Sequence, residues 1–134
     1  HICAVELTRD LKAPVGEPRY LFKATDAMPS VTSFHHPRKG DIFVTDGPFV
    51  FRDKEGRLRM IWSSFAEGNN YCVALASPKG GRFSGDWKPE RELLFAKDGG
   101  HGMLFTGLDG KRYLALHSPN ETLLERPKFI EVDI

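Results

Sequence analysis

The stretch "DGPFVFRDKEGRLRMIWSS", residues 46 to 64, contains an acid, a Gly-Pro pair, an apolar run, a charged turn and a second apolar run. Two apolar runs joined by a short loop with a glycine predict two antiparallel strands that form a β-hairpin. Asp46 immediately precedes the first strand, where removing a carboxylate from water is costly unless a partner or a function compensates. The stretch therefore predicts β structure and marks Asp46 as a candidate functional residue.

A second stretch, "HGMLFTGLDGKRYLALHS" (residues 101 to 118), repeats this pattern. Aligning the two places Asp46 opposite His101 at an offset of 55, which falls to 54 through the deletion of one residue in the turn. In the next strand, "YCVALAS" from Tyr71 aligns with "RPKFIEV" from Arg126, again at 55. Four-stranded units that recur at roughly 40 to 55 residues are typical of β-propeller blades.

We therefore predict an all-β protein made of antiparallel four-stranded blades of an incomplete β-propeller, with about two to three blades. Residues 1–23 would form the end of one blade, 24–45 a long loop, 46–95 a complete blade and 101–134 most of a further blade. Closing a propeller takes about four to eight blades. We expect N-terminal blades or a second chain to supply the rest. A small β-sandwich of some nine strands is the alternative fold.

Composition limits the possible partners. The 134 residues are 40% hydrophobic and 28% charged, as in a single globular unit. The net charge of +1 gives no strong field to attract nucleic acid or an anionic membrane, so we expect neither partner. No apolar run approaches the roughly 20 residues of a membrane-spanning helix.

Matching positions in successive blades meet at one mouth of a propeller's central channel. We therefore expect Asp46 and His101 to project toward the axis, with His117 and Arg126 nearby. An acid, a guanidinium and two imidazoles suit a polyhydroxylated or anionic ligand, and Phe65 could stack on a sugar ring.

Several motifs carry a resemblance to a known family. In order, "VTDGPFVF" (44–51), "SGDW" (84–87), "KDGGHGMLF" (97–105) and "ERPKFIEV" (125–132) resemble the latter half of a glycoside hydrolase family 43 catalytic domain. The resemblance implies a five-bladed propeller that hydrolyses arabinofuranosyl or xylosyl linkages with inversion. It also implies a catalytic base, a pKa-tuning aspartate and a general acid on separate blades, and a secreted or periplasmic protein.

The same resemblance assigns roles to individual residues. Asp46 falls on the general acid, and desolvation beside Pro48 would favour its protonated form. His101 falls on an axial histidine that lies near a bound ion or water, which makes it a candidate metal contact, with calcium as the candidate ion. Arg126 falls on an arginine that reaches substrate, and His117 on a histidine that shapes the pocket.

Two departures argue against activity of the chain alone. The family usually has glutamate before Gly-Pro, whereas Asp46 is shorter by about 1.5 Å. The base and the second aspartate would lie in blades outside these residues. Plainer interpretations also exist: Asp46 caps its turn, His101 is a satisfied channel histidine, and Arg126 pairs with Glu125 or Glu131.

Three functional classes remain open at this stage. The first is part of a glycosidase that acts on arabinose- or xylose-containing saccharides. The second is a non-catalytic carbohydrate-binding β-domain. The third takes His1 as an amino-terminal copper ligand of a polysaccharide oxidase, but the internal repeat has no place in that hypothesis and no other copper motif accompanies it.

Overall fold

The computed structural model describes residues 1–134 and confirms an all-β protein. Its strands are β1 (Ile2–Leu7), β2 (Pro14–Phe22), β3 (Phe34–His36), β4 (Gly40–Ile42), β5 (Asp46–Arg52), β6 (Leu58–Ala66), β7 (Asn70–Pro78), β8 (Trp87–Phe95), β9 (Gly100–Thr106), β10 (Arg112–Ser118) and β11 (Arg126–Glu131). Single turns of 3₁₀ helix span Ala24–Ala27, Glu67–Asn69 and Lys79–Gly81. None of these helices has the length or apolar character needed to cross a membrane.

All strand pairs are antiparallel, and they form four sheets. We call β1-β2 the first hairpin, β3-β4 the small hairpin, β5-β6-β7-β8 the middle sheet and β9-β10-β11 the last sheet. Each strand of the middle and last sheets pairs with its neighbour in sequence, which is the meander of a propeller blade. The chain is an incomplete β-propeller, with one four-stranded blade between parts of two others.

The middle sheet has apolar neighbours on both faces. Successive residues of a strand point to opposite faces, and β6 uses this alternation fully. Met60 and Trp62 pack with Phe22 of the first hairpin, whereas Ile61 packs with Leu114 of the last sheet. The last sheet is covered on this one side only, and Phe129 on its other face is 65% exposed. The two clusters fix the order hairpin, middle sheet, last sheet.

The two predicted hairpin turns are confirmed and are equal in length. The Asp53 N–H donates to the Arg57 carbonyl at 3.0 Å, and the Gly107 N–H donates to the Lys111 carbonyl at 2.8 Å. A glycine with positive φ stands in the same place in each turn, at Gly56 (φ 78°) and at position 110 (φ 79°). The one-residue deletion that the alignment placed in the turn is therefore wrong.

Cross-strand pairing gives the two sheets a constant offset of 54 residues instead of 55 and then 54. Phe49 pairs with Ile61 as Met103 pairs with Ala115, and the pairs Ile61–Leu75 and Ala115–Phe129 continue the correspondence. At the start of the strands, Asp46 pairs with Ser63 as Gly100 pairs with His117.

This register corrects the predicted equivalences. The counterpart of Asp46 is Gly100, and the counterpart of Gly47 is His101. The backbone agrees, because Gly47 and His101 both adopt a left-handed conformation, with φ of 47° and 53°. Arg126 likewise corresponds to Cys72, not to Tyr71, because it pairs with Ser118 as Cys72 pairs with Ser64.

Some strands were not predicted. The segment expected to be one long loop contains the small hairpin, in which His36 pairs with Gly40. β2 and β8 were expected only as the last strands of their blades, without bounds, because proline interrupts both sequences. Neither strand shows the apolar alternation that identifies its neighbours.

Candidate functional site

Five strand ends bring polar side chains together at one end of the middle and last sheets, which we call the mouth. Asp46 begins β5, Ser63 lies near the end of β6 and Tyr71 near the start of β7. His101 is the second residue of β9, which packs against all three of these strands, and His117 lies near the end of β10. The meander therefore delivers residues that are distant in sequence to one place.

The Asp46 carboxylate is the centre of the mouth and is 41% exposed. Its Oδ1 accepts a hydrogen bond from the Gly47 N–H at 2.9 Å, as in a turn cap. Its Oδ2 accepts one from the Tyr71 hydroxyl at 2.9 Å and lies 3.1 Å from His101 Nδ1. The capping interpretation and a role in the site are therefore both compatible with these contacts.

His101 reaches Asp46 although the two residues are not repeat counterparts. Its left-handed backbone (φ 53°) is uncommon for a residue with a side chain. The His101 N–H donates to Ser63 Oγ at 2.8 Å, which holds this conformation. A Cβ at Gly47 would lie 3.0 Å from His101 Cα, so the glycine leaves the space that the imidazole uses. The structure brings together an acid and an imidazole that were expected to share one mouth, although the two are not repeat equivalents.

Tyr71 completes the cluster, and the sequence analysis did not identify it as a functional residue. Only 3% of it is exposed. Burial raises the pKa of its phenol strongly, and the hydrogen bond to Asp46 raises it further, so the hydroxyl is a donor at neutral pH. Its ring lies parallel to the His117 ring, with centroids 5.5 Å apart. A tyrosine in an apolar strand is ordinarily a core residue, so no local sequence signal marked Tyr71 as functional.

His117 and Phe65 form part of an aromatic layer behind the carboxylate. The Nε2 of His117 lies 3.1 Å from Asn120 Oδ1. Phe65 stacks on Phe34 at 4.7 Å between centroids and contacts Tyr71 at 5.1 Å. Because Phe65 is only 9% exposed, its packing role is evident, and stacking on a sugar stays a prediction.

Arg126 lies at the same end of the last sheet but does not contact Asp46. It is exposed, and its Nη1 donates to the carbonyls of Leu123 at 3.2 Å and Glu125 at 2.8 Å. These bonds go to the backbone, so the expected ion pair with a neighbouring carboxylate does not form. Substrate contact by Arg126 stays a prediction.

The donors in this chain do not suffice for a metal site. No group of three or more His, Cys, Asp or Glu side chains is arranged to hold an ion. Calcium takes six to eight oxygen ligands, whereas the surroundings of His101 offer one carboxylate. A calcium ion at His101 would need ligands from outside these residues. The His35 imidazole pairs with Asp41 at 2.8 Å on the exposed small hairpin, away from the mouth.

A known protein resembles this chain in structure, although no protein-family model and no curated sequence matches it. Among solved structures, the endo-arabinase from Bacteroides thetaiotaomicron VPI-5482 superposes on this chain with a TM-score of 0.87 and 38% sequence identity. The match covers 98% of this chain and 46% of that chain, so the chain spans about half the length of the enzyme it matches. Its fold is thus similar to that of part of a glycoside hydrolase.

Proposed function

We propose that this chain is the C-terminal portion of a glycoside hydrolase, similar to family 43, that cleaves O-glycosidic bonds in arabinose-containing polysaccharides. The observation that carries the proposal is the cluster of Asp46, His101 and Tyr71 at the mouth. This cluster lies in a chain that matches an endo-arabinase along nearly its whole length. Internal linkages of linear arabinan are the first substrate to test, and xylosidic linkages are the second.

In the proposed reaction Asp46 is the proton donor. An inverting glycosidase protonates the leaving oxygen with one carboxylic acid, while a second carboxylate about 6.5 to 9.5 Å away activates water. The proton passes from Asp46 to the glycosidic oxygen as the bond from that oxygen to the anomeric carbon breaks. The second carboxylate would come from blades outside residues 1–134. We therefore expect the chain alone to be inactive.

The exposed apolar face of the last sheet supports a role for missing blades. Met103 is 50% exposed and Phe129 is 65% exposed on this face, although both lie in the middle of strands. In a closed propeller the next blade would cover such a face. N-terminal blades of the same polypeptide, or a second chain, are the proposed cover.

A non-catalytic carbohydrate-binding domain is the second candidate. It is favoured by the contacts of Asp46, since both carboxylate oxygens already accept hydrogen bonds. The replacement of the family's glutamate by the shorter aspartate points the same way. In this alternative the mouth would bind sugar hydroxyls without cleaving them.

The test compares Asp46→Asn with the unchanged full-length polypeptide on linear arabinan, xylan and aryl arabinofuranosides. We expect the substitution to lower turnover about a hundredfold to ten-thousandfold, since the Asn carboxamide has no acidic proton to donate. Asp41→Asn is the matched control, because it alters another Asp–His pair, at 2.8 Å, on an exposed hairpin.

Unchanged turnover in Asp46→Asn would exclude the acid role. Saturable arabinan binding by a wild-type protein that releases no product would favour the binding domain instead.

A further inference from the structure

We propose that Tyr71 is a positioning residue, whose hydroxyl fixes the rotation of the Asp46 carboxylate so that Oδ1 carries the proton given to substrate. The inference rests on the proposed function and names a second residue needed for the same step. Tyr71 itself need not touch the substrate, because its ring is buried behind the carboxylate.

The position of the phenol is determined by both sheets. The Gly99 N–H donates to the Tyr71 carbonyl at 2.9 Å, which joins β7 to the start of the last sheet. A Cβ at Gly100 would lie 2.6 Å from Tyr71 Cε1, so the ring packs directly over that glycine. His117 and Phe65 cover two further sides of the ring. A ring held on all these sides keeps its hydroxyl in one place.

The hydroxyl belongs to a connected set of polar contacts. Tyr71 donates to Asp46 Oδ2 at 2.9 Å, and the His101 ring lies 3.1 Å from the same oxygen. Ser63 Oγ accepts the His101 N–H at 2.8 Å, which places that imidazole beside Asp46. Buried polar networks of this kind hold their members in a single arrangement.

The arrangement distinguishes the two carboxylate oxygens. Oδ2 has two neighbours, Tyr71 and His101, and each oxygen of a carboxylate has about two lone-pair directions. Oδ1 has only the N–H of Gly47, at 2.9 Å, so one direction remains for a proton.

Tyr71→Phe in the full-length polypeptide tests the inference, because it keeps the ring and removes only the hydroxyl. We expect kcat on arabinan to fall about tenfold, as for one lost hydrogen bond to a charged group, with KM within about twofold. Tyr113→Phe is the matched control, since Tyr113 donates to Asp109 Oδ2 at 2.7 Å in a turn at the opposite end of the last sheet. The control should leave kcat unchanged.

The pH dependence separates positioning from simple loss of stability. The titratable groups around Asp46 are Tyr71 from β7 and His101 from β9, with His117 from β10 and Asp98 behind them. A general acid loses activity as pH rises and it ionises. Removing a donor to the ionised form favours protonation, so the basic limb of the pH–rate profile should move to higher pH in Tyr71→Phe.

Four outcomes decide the matter. A fully active Tyr71→Phe beside an inactive Asp46→Asn would overturn the positioning role and leave the proposed function standing. Loss of turnover with an unmoved basic limb would also overturn it.

If the wild type cleaves none of the substrates, the proposed function fails, and a ¹³C NMR titration of Asp46 tests the positioning role instead. An unchanged midpoint in Tyr71→Phe overturns the inference, and an upward shift of the midpoint supports it. If Tyr71→Phe does not fold, Ser63→Ala, which breaks the same network, takes its place with the same expected directions.

Discussion

The middle sheet and the last sheet share one backbone plan and differ in what they place at the mouth. Their strands and turns correspond at a constant offset of 54 residues, down to the left-handed residue near the start of each first strand. At that start the middle sheet has Asp46 followed by Gly47, whereas the last sheet has Gly100 followed by His101. Side chain and glycine have exchanged places.

The exchange explains how two sheets build one site. Gly47 leaves room for His101, whose Cα would otherwise lie 3.0 Å from a Cβ. Gly100 leaves room for Tyr71 and Ser63, which would lie 2.6 Å and 2.9 Å from a Cβ there. Each sheet thus has a glycine at the place where a side chain of the other sheet enters. A strictly symmetrical repeat would have put two side chains into the same space.

The largest expected effect tests the difference in cover between the two sheets. Trp62→Ala should lower the free energy of unfolding by about 3 to 5 kcal/mol, because Trp62 is fully buried in the middle sheet. Phe129→Ala, on the open face of the last sheet, should change it by at most about 0.5 kcal/mol in the 134-residue chain. Urea unfolding measures both. Equal losses would contradict the difference in cover.

A smaller effect tests the exchange of glycine and side chain. Gly100→Ala should cost about 1 to 3 kcal/mol, because the added Cβ overlaps the Tyr71 ring. The cost should shrink when Tyr71 is also changed to alanine, as a double-mutant cycle measures. A cost that does not depend on Tyr71 would mean that Gly100 is required for another reason.

The correspondence between the middle sheet and the last sheet could be predicted only in part from the sequence. The hairpin of residues 46–64 could be predicted because two apolar runs flank a short turn with a glycine. The turns were found through Gly56 and Gly110, which need positive φ. The offset of 55 was wrong because matching letters paired Gly47 with Gly102, whereas the residue that shares its conformation is His101.

The hydrogen bonds around Asp46 could not be predicted from the sequence, for a physical reason. Tyr71 and Ser63 are ordinary strand residues, and their function depends on which side chains lie opposite them across two sheets. Asp46 and His101 were expected to share one mouth, but the hydrogen bonds around them come from a register that local patterns do not determine.

The smallest expected effect contrasts the two turns. Burial alone would raise the pKa of Asp53, but hydrogen bonds from Arg57 and from the Glu55 N–H hold it below the ordinary value of 3.8. The last sheet has Gly107 in this place. A carboxylate with a lowered pKa in the folded state stabilises the fold above the unfolded pKa, and that stability is lost as pH falls below about 4.

Asp53→Asn should therefore remove roughly 1 kcal/mol of stability near pH 7 and flatten the decline in thermal stability below pH 4. Melting temperatures between pH 2 and pH 7 check this, with Asp41→Asn on the exposed small hairpin as the control. An identical acid decline in wild type and Asp53→Asn would exclude this turn as its source.

The equal length of the two hairpins also has a consequence for how the sequence can evolve. Residues 46–64 and 100–118 align without insertion or deletion, so one hairpin is a backbone template for the other. After a duplication, the two copies can then diverge by point substitutions alone, because no substitution shifts the pairing of a strand. Redesign of the specificity of the mouth can use the same freedom, with a library that varies side-chain identity at a few matched positions and leaves chain length untouched.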